Sequence, residues 1–202
     1  AAQAVESGCG VLLLYGNYPG DCLNFKSAEE ALNRDGIVTR HICVSDDVAS
    51  GPKSRKQDRR GISGDVFMIK IIGAACDAGL GIDEIVKIGE KVNENLWSIA
   101  AAITRRRMNT GLDRYDSGTS IDPLYIDYGI GLHGERGILS LKMQSVDALV
   151  DTMYSQLMSE TEIRKKDEVC VIVNGMGSIS VMELAIAFRR LKTLLDSDGI
   201  RI

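Results

Sequence analysis

The apolar run Val11-Leu-Leu-Leu-Tyr15, closed at once by the turn-forming cluster Gly16-Asn-Tyr-Pro-Gly-Asp21, constrains this chain more than any other feature. Five apolar residues without alternation and with an abrupt stop read as a strand buried on both faces, the usual state of a strand inside a parallel sheet. Downstream, Ser27-x-x-Glu30 has capping-box spacing and Asp35-Gly36 is a helix stop, which places a helix between them and a second strand over residues 37–44. Strand, helix and strand in that order make a βαβ unit, and parallel pairing follows.

The remainder of the chain continues the alternation. Residues 49–64 are polar and rich in Gly, Lys and Arg, a long loop of the kind that carries function or disorder. A buried helix is expected over 66–78 and a long mixed helix over 82–107, separated by Gly79-Leu-Gly81. Residues 108–123 lack periodicity and read as a linker, while 124–132 alternate loosely and end in Gly-Leu-His-Gly. Val146, Leu149, Val150, Met153 and Leu157 mark one helix face, and residues 168–174 read as a strand. Ser180-x-x-Glu183 caps a last helix that Gly199 closes, with Leu184, Ala187, Phe188, Leu191 and Leu195 facing inward.

The fold expected is therefore α/β: two α/β lobes with mainly parallel or mixed sheets flanked by helices, joined by a long helix and linker. The first lobe covers 1–108, the linker 109–123 and the second lobe, incomplete, 124–202. Ile200-Arg-Ile202 reads as the beginning of a strand, and both ends are expected to be truncated.

Composition restricts the function classes. A net charge of −4 and a pI near 5.3 give no general attraction to a phosphate backbone or an anionic lipid surface, so neither nucleic acid nor membrane is an expected partner. Five widely spaced cysteines (Cys9, Cys22, Cys43, Cys76, Cys170) form no disulfide or zinc pattern and fit reduced thiols in a cytoplasmic protein. The apolar runs fall far short of the ~20 residues a spanning helix needs, and no signal sequence opens the chain.

Chemistry is expected beyond the carboxyl ends of the strands, where a parallel sheet leaves room for a ligand. Asp21 stands at such a point, either to accept a hydrogen bond or proton from a substrate hydroxyl or to cap the following helix. His133 lies in Gly129-Ile-Gly-Leu-His-Gly-Glu-Arg-Gly137, where glycine on both sides favours a ligand-facing imidazole over a packed one. His41, inside an apolar strand, reads as structural. A zinc site is not expected from His133, Glu135 and Asp127, and Asp46-Asp47 reads as a strand-end turn rather than a magnesium site. Lys53, Arg55, Lys56, Arg59 and Arg60 read as a solvated, mobile run without the interleaved aromatics of a nucleic-acid surface. Gly175-Met-Gly177-Ser-Ile-Ser180 is a weak match to a dinucleotide fingerprint, because Ser180 replaces its third glycine; no P-loop sequence is present.

Taken in order, residues 10–25, Ser45-Asp-Asp-Val-Ala49, Arg59-Arg-Gly-Ile-Ser-Gly64, residues 129–137 and Val173-Asn-Gly-Met-Gly177 resemble the substrate-binding subunit of dihydroxyacetone kinases. The resemblance implies that His133, matching the histidine of the family's G-[IL]-H-G-E block, adds through a ring nitrogen to a ketone carbonyl. It implies that Asp21, matching the aspartate of N-Y-x-G-D, binds the hydroxyl that is to be phosphorylated and helps take its proton, with Tyr18, Gly20, Gly131 and Gly134 lining the substrate. It further implies a short ketose such as dihydroxyacetone as ligand and a homodimer. No cofactor is expected in this chain; ATP and magnesium, or a phosphoryl relay, are implied on a separate nucleotide-binding subunit or domain. Gly16 stands where the family commonly has lysine, and Arg136 where it has proline. A non-catalytic ketose-binding regulator or coactivator of the same fold is the alternative, and a dehydrogenase binding nicotinamide at 175–180 is a third class.

Overall fold

The computed structural model describes residues 1–105 and 124–202. The chain divides into two units, Ala1–Ser98 and Ile99–Ile202. The expected linker at 109–123 lies outside the described residues.

In the first unit a single turn, α1 (Ala2–Val5), precedes β1 (Val11–Gly16), α2 (Pro19–Arg34) and β2 (Thr39–Val44). β1 and β2 pair in parallel from Val11 opposite Thr39 to Gly16 opposite Val44, as the apolar run and βαβ order predict. The helix between them begins earlier than Ser27 indicates. Pro19 occupies its first position and Tyr18 its N-cap, so Ser27 and Glu30 sit inside the helix. Proline at N1 supplies the fixed φ of a helix start and lacks only an N–H that would have no helical partner. The stop is as read: Asp35 is the C-cap and Gly36 has φ +85°.

After β2, 3-10 turns at Lys53–Asp58 lead to α3 (Asp65–Asp77) and α4 (Ile82–Glu94). Ile42 and Val44 of β2 meet Met68, Ile72 and Ala75 of α3, Ile85 of α4 and Leu96 in one buried cluster. α4 does not continue to residue 107. It ends at Glu94, and Ala101–Arg105 forms β3, which pairs antiparallel with β4 (Leu124–Tyr128). An Ala-rich apolar segment fits either periodicity, and here a cross-strand partner decides the matter. The second unit therefore begins with β3.

That unit carries an antiparallel sheet, β3-β4-β5, with β5 at Leu139–Lys142, followed by α5 (Val146–Glu160) and α6 (Val181–Asp198). The molecule is thus mixed α/β, parallel in one unit and antiparallel in the other. The strand expected at 168–174 is reduced to a single parallel bridge between Glu168 and Arg201, because no longer strand runs beside it among the described residues. α5 and α6 are joined by Arg190, whose guanidinium donates to both carboxylate oxygens of Asp151 at 2.6 and 2.9 Å. Tyr154, Leu195 and Ile200 form the buried cluster beneath, with the Tyr154 hydroxyl donating to Asp198 at 2.6 Å. Ser180 and Glu183 make the reciprocal capping box read in the sequence, and Gly199 ends α6 at φ +70°.

Candidate functional site

The first unit gathers its polar residues where β1 and β2 end. Asn17, immediately after β1, donates from Nδ2 to the carbonyl oxygens of Gln57 and Arg59 at 2.8 and 2.7 Å. The same side chain thereby joins the β1–α2 turn to the loop after β2. Gly61 allows that approach: a Cβ there would lie 2.5 Å from Val44 O and 2.6 Å from Gly16 Cα, both backbone atoms. Asp46 is fully buried and accepts the N–H groups of Ile62 and Gly64 at 2.8 and 2.7 Å. Asp47, also fully buried, is held by Arg60 through Nε at 2.8 Å and a second nitrogen at 2.6 Å. These carboxylates organise the loop from buried positions, so the acidic pair is not the ordinary strand-end turn expected from its sequence: backbone N–H groups and Arg60 compensate for its burial.

Of the basic run, Lys53 and Arg55 are exposed, as their charge suggests, but Lys56, Arg59 and Arg60 are not part of a solvated face. Arg59 is completely buried with Nε on Gly51 O at 2.8 Å, and Lys56 donates to Glu94 O and Leu96 O, both at 2.8 Å, while lying over the Trp97 ring. Lys56 thus satisfies carbonyl groups at the C-terminus of α4, where helices leave acceptors open. Charge alone marks these residues as surface, and the carbonyls that claim them become visible only in three dimensions.

Asp21 occupies the first turn of α2 beyond the carboxyl end of β1, with Gly20 before it and Tyr18 at the N-cap. No side-chain hydrogen bond caps this helix, so the capping role considered for Asp21 is not taken up. A Cβ on Gly20 would meet no atom within 4 Å, so the turn is open there. In the same unit, Asp65 opens α3 with its Oδ1 buried and without a hydrogen bond among the described residues. Burial, and then the neighbouring Asp46 charge, push its carboxyl up to about 6. A third group went unremarked in the sequence: Cys22 and Cys43 place their sulfurs 3.7 Å apart, and both lie against Asn17 Oδ1, at 3.1 and 3.4 Å. Twenty-one residues separate them in sequence, and only the winding of α2 over β2 brings them together. His41 pairs its Nδ1 with Glu29 at 2.5 Å and stacks on Tyr15, a packed environment that matches its structural reading.

In the second unit, residues 129–138 form the loop between β4 and β5. His133 projects from it with its side chain 64% exposed, available to a ligand. Glu135 governs the loop: its Oε2 accepts the His133 N–H at 3.0 Å, its Oε1 lies 3.5 Å from His133 Nδ1, and its carbonyl accepts from Gly131 N at 3.2 Å. Gly134 adopts φ +85°, a conformation that an L side chain adopts only under strain, and this positive φ turns the chain directly after His133. The carboxylate beside Nδ1 favours a proton on that nitrogen and leaves the lone pair on Nε2. In the same unit, Asp127, Arg136, Ile138 and Ser140 line a polar cleft of about 400 Å³. No cluster of three metal-ligating side chains occurs among the described residues.

The fingerprint considered at 175–180 lacks its structural context. No strand leads into it; Asn174 Oδ1 instead accepts from Met176 N at 3.0 Å, and Gly175 O accepts from Ser178 and Ile179. No helix among the described residues is long and apolar enough to cross a membrane.

The Dak1 domain family matches residues 1–202. The dihydroxyacetone-binding subunit DhaK of a PTS-dependent dihydroxyacetone kinase 2 from Listeria innocua is 33% identical over 205 residues, which cover 100% of this chain and 60% of that protein. An L-erythrulose kinase from Pectobacterium atrosepticum is 31% identical over 211 residues, covering 100% of this chain and 34% of that protein. The solved structure of the dihydroxyacetone kinase operon co-activator Dha-DhaQ shares the fold, with a TM-score of 0.83, 24% identity, and coverage of 99% of this chain and 61% of that one. This chain therefore spans a little under two thirds of the first relative and about a third of the second.

Proposed function

The chain belongs to the Dak1 domain family, and from that premise we propose that it is the ketose-binding part of a kinase that phosphorylates dihydroxyacetone or a related short ketose. The observation that carries the reading is the His133 loop: an exposed imidazole, turned outward by glycine, with a carboxylate fixing one ring nitrogen. Such a group is a nucleophile for a carbonyl carbon. Nε2 adds to the ketone carbon, the carbonyl π electrons move to oxygen, that oxygen takes a proton from water, and the imidazolium so formed gives its Nδ1 proton back by way of Glu135, leaving a neutral hemiaminal. A polyol without a carbonyl forms no such bond, so selection is chemical.

Asp21 is assigned the substrate hydroxyl that is to receive phosphate. Its carboxylate stands in an open first turn, where it can accept the hydroxyl hydrogen and later its proton. ATP and magnesium, or a phosphoryl relay, belong in this reading to a nucleotide-binding subunit or domain. One named relative is the dihydroxyacetone-binding subunit of a kinase and the other is an L-erythrulose kinase, which supports a substrate of three or four carbons.

A non-catalytic ketose-binding regulator is the second reading. Gly16 favours it, since this residue packs on Gly61 and offers no cation beside Asn17, where kinases of this family commonly carry lysine. Phosphoryl transfer to dihydroxyacetone and erythrulose, with a nucleotide-binding kinase subunit and ATP-magnesium supplied to the full-length protein, separates the two. Turnover that Asp21→Asn abolishes supports the kinase; ketose binding with no turnover supports the regulator.

A further inference from the structure

We propose that Cys22 and Cys43 form a reversible disulfide and that this modification displaces the turn that carries Asp21 and so weakens ketose binding. The effect on ligand binding rests on the function proposed above; the disulfide itself does not.

The geometry is specific. The two sulfurs are 3.7 Å apart and need to approach by about 1.7 Å to reach the bonded distance of ~2.05 Å. Both thiols are only partly buried, so a small oxidant reaches them. Cys9, Cys76 and Cys170 are exposed and are not paired with another thiol, which makes them internal controls. Burial and the bond to Cys22 push the Cys43 thiol up to about 12, so Cys43 stays protonated and Cys22 reacts first.

With a peroxide as oxidant the step balances. The Cys22 thiol loses its proton, and its sulfur attacks one peroxide oxygen. The O–O bond breaks, hydroxide leaves and takes up that proton, and Cys22 becomes a sulfenic acid. The Cys43 sulfur then attacks the Cys22 sulfur, and the displaced hydroxide takes the Cys43 proton as a second water. Two thiols have lost two electrons, and one peroxide has become two waters.

Closure acts on the turn that carries Asp21. In the reduced protein Asn17 Oδ1 faces both thiols, while its Nδ2 holds Gln57 and Arg59. Oxidation removes both S–H groups from that oxygen. Cys43 is fixed in β2 between Ile42, 5% exposed, and the fully buried Val44, so the contraction falls on the first turn of α2. Asp21 adjoins Cys22 there and moves with it. Thiol reduction restores the original turn, as expected for a regulatory rather than a structural bond.

The test uses the full-length protein treated with hydrogen peroxide, then alkylated and digested. The expected result is one linked peptide pair containing Cys22 and Cys43, loss of two free thiols, reversal by dithiothreitol, and no linked pair in Cys22→Ser or Cys43→Ala. Dihydroxyacetone affinity, measured on the same samples, is expected to fall at least tenfold on oxidation in the native protein and to stay constant in Cys22→Ser. Separate alkylation of both residues after peroxide, or linkage of either to Cys9, Cys76 or Cys170, overturns the disulfide. A linked pair with unchanged affinity overturns the switch. If the reduced protein binds no ketose while the linked pair forms, the ketose-binding reading fails and the modification site stands.

Discussion

Asn17 and Arg59, 42 residues apart in sequence, are joined by a hydrogen bond of 2.7 Å from the Asn17 amide to the Arg59 carbonyl. A second donation, to Gln57 O, makes Asn17 the tie between the β1–α2 turn and the loop that follows β2. Asn17→Ala leaves two carbonyls without their donor and is expected to destabilise the protein by about 2 kcal/mol. Urea unfolding checks this, with an unchanged slope and a lower midpoint expected. Asn17→Asp is expected to be worse, because a carboxylate would face two carbonyl oxygens.

Asp65 makes stability depend on pH. Its carboxyl, ordinarily near 3.8, is raised to about 6 by burial and by Asp46. Between about pH 4 and 6 the unfolded chain has released this proton and the folded chain has not, so this group lowers stability as pH rises and its full penalty applies at pH 7. Asp65→Asn is expected to stabilise the protein at pH 7 by about 1–2 kcal/mol, after allowance for partial solvent access. The gain vanishes below about pH 4. Thermal unfolding of both proteins across pH 3.5–7.5 measures the difference; a gain independent of pH contradicts the assignment.

Glu135 is expected to act through His133. Glu135→Gln keeps an oxygen that can accept the His133 N–H but removes the carboxylate beside Nδ1. Ketose capture is expected to weaken roughly tenfold, about 1.4 kcal/mol. Nitrogen NMR of the ring distinguishes this from a structural effect: the fraction protonated at Nδ1 falls in the variant while the loop backbone signals hold their positions.

Local patterns carried much of the fold. An uninterrupted apolar run, a capping box at Ser180 and a closing glycine at Gly199 are each decided within a few residues, and the structure follows them. Elements that depend on distant partners were not legible. β3 looks helical until β4 pairs with it across 18 residues of intervening sequence, and residues 168–174 look like a strand although, among the described residues, they form no more than a bridge from Glu168 to Arg201. The start of α2 was available in Pro19, but Ser27 gave the more familiar pattern.

The site divides in the same way. The glycines around His133 and the turn before Asp21 mark themselves, because few residue types suit such backbone. The buried Arg59, the Asp47–Arg60 pair and the adjoining thiols of Cys22 and Cys43 do not, since each arises from segments brought together by the fold. Asp65 gave no signal either; nothing near it in sequence shows that its carboxylate is buried beside Asp46.

The central claim is that His133 captures a ketone covalently. Carbon NMR of dihydroxyacetone labelled at its carbonyl, mixed with the full-length protein, tests it most directly. A tetrahedral carbon signal that depends on the protein and is absent with His133→Ala is the predicted result; a carbonyl signal unchanged by saturating native protein, or a tetrahedral signal that survives in His133→Ala, contradicts it.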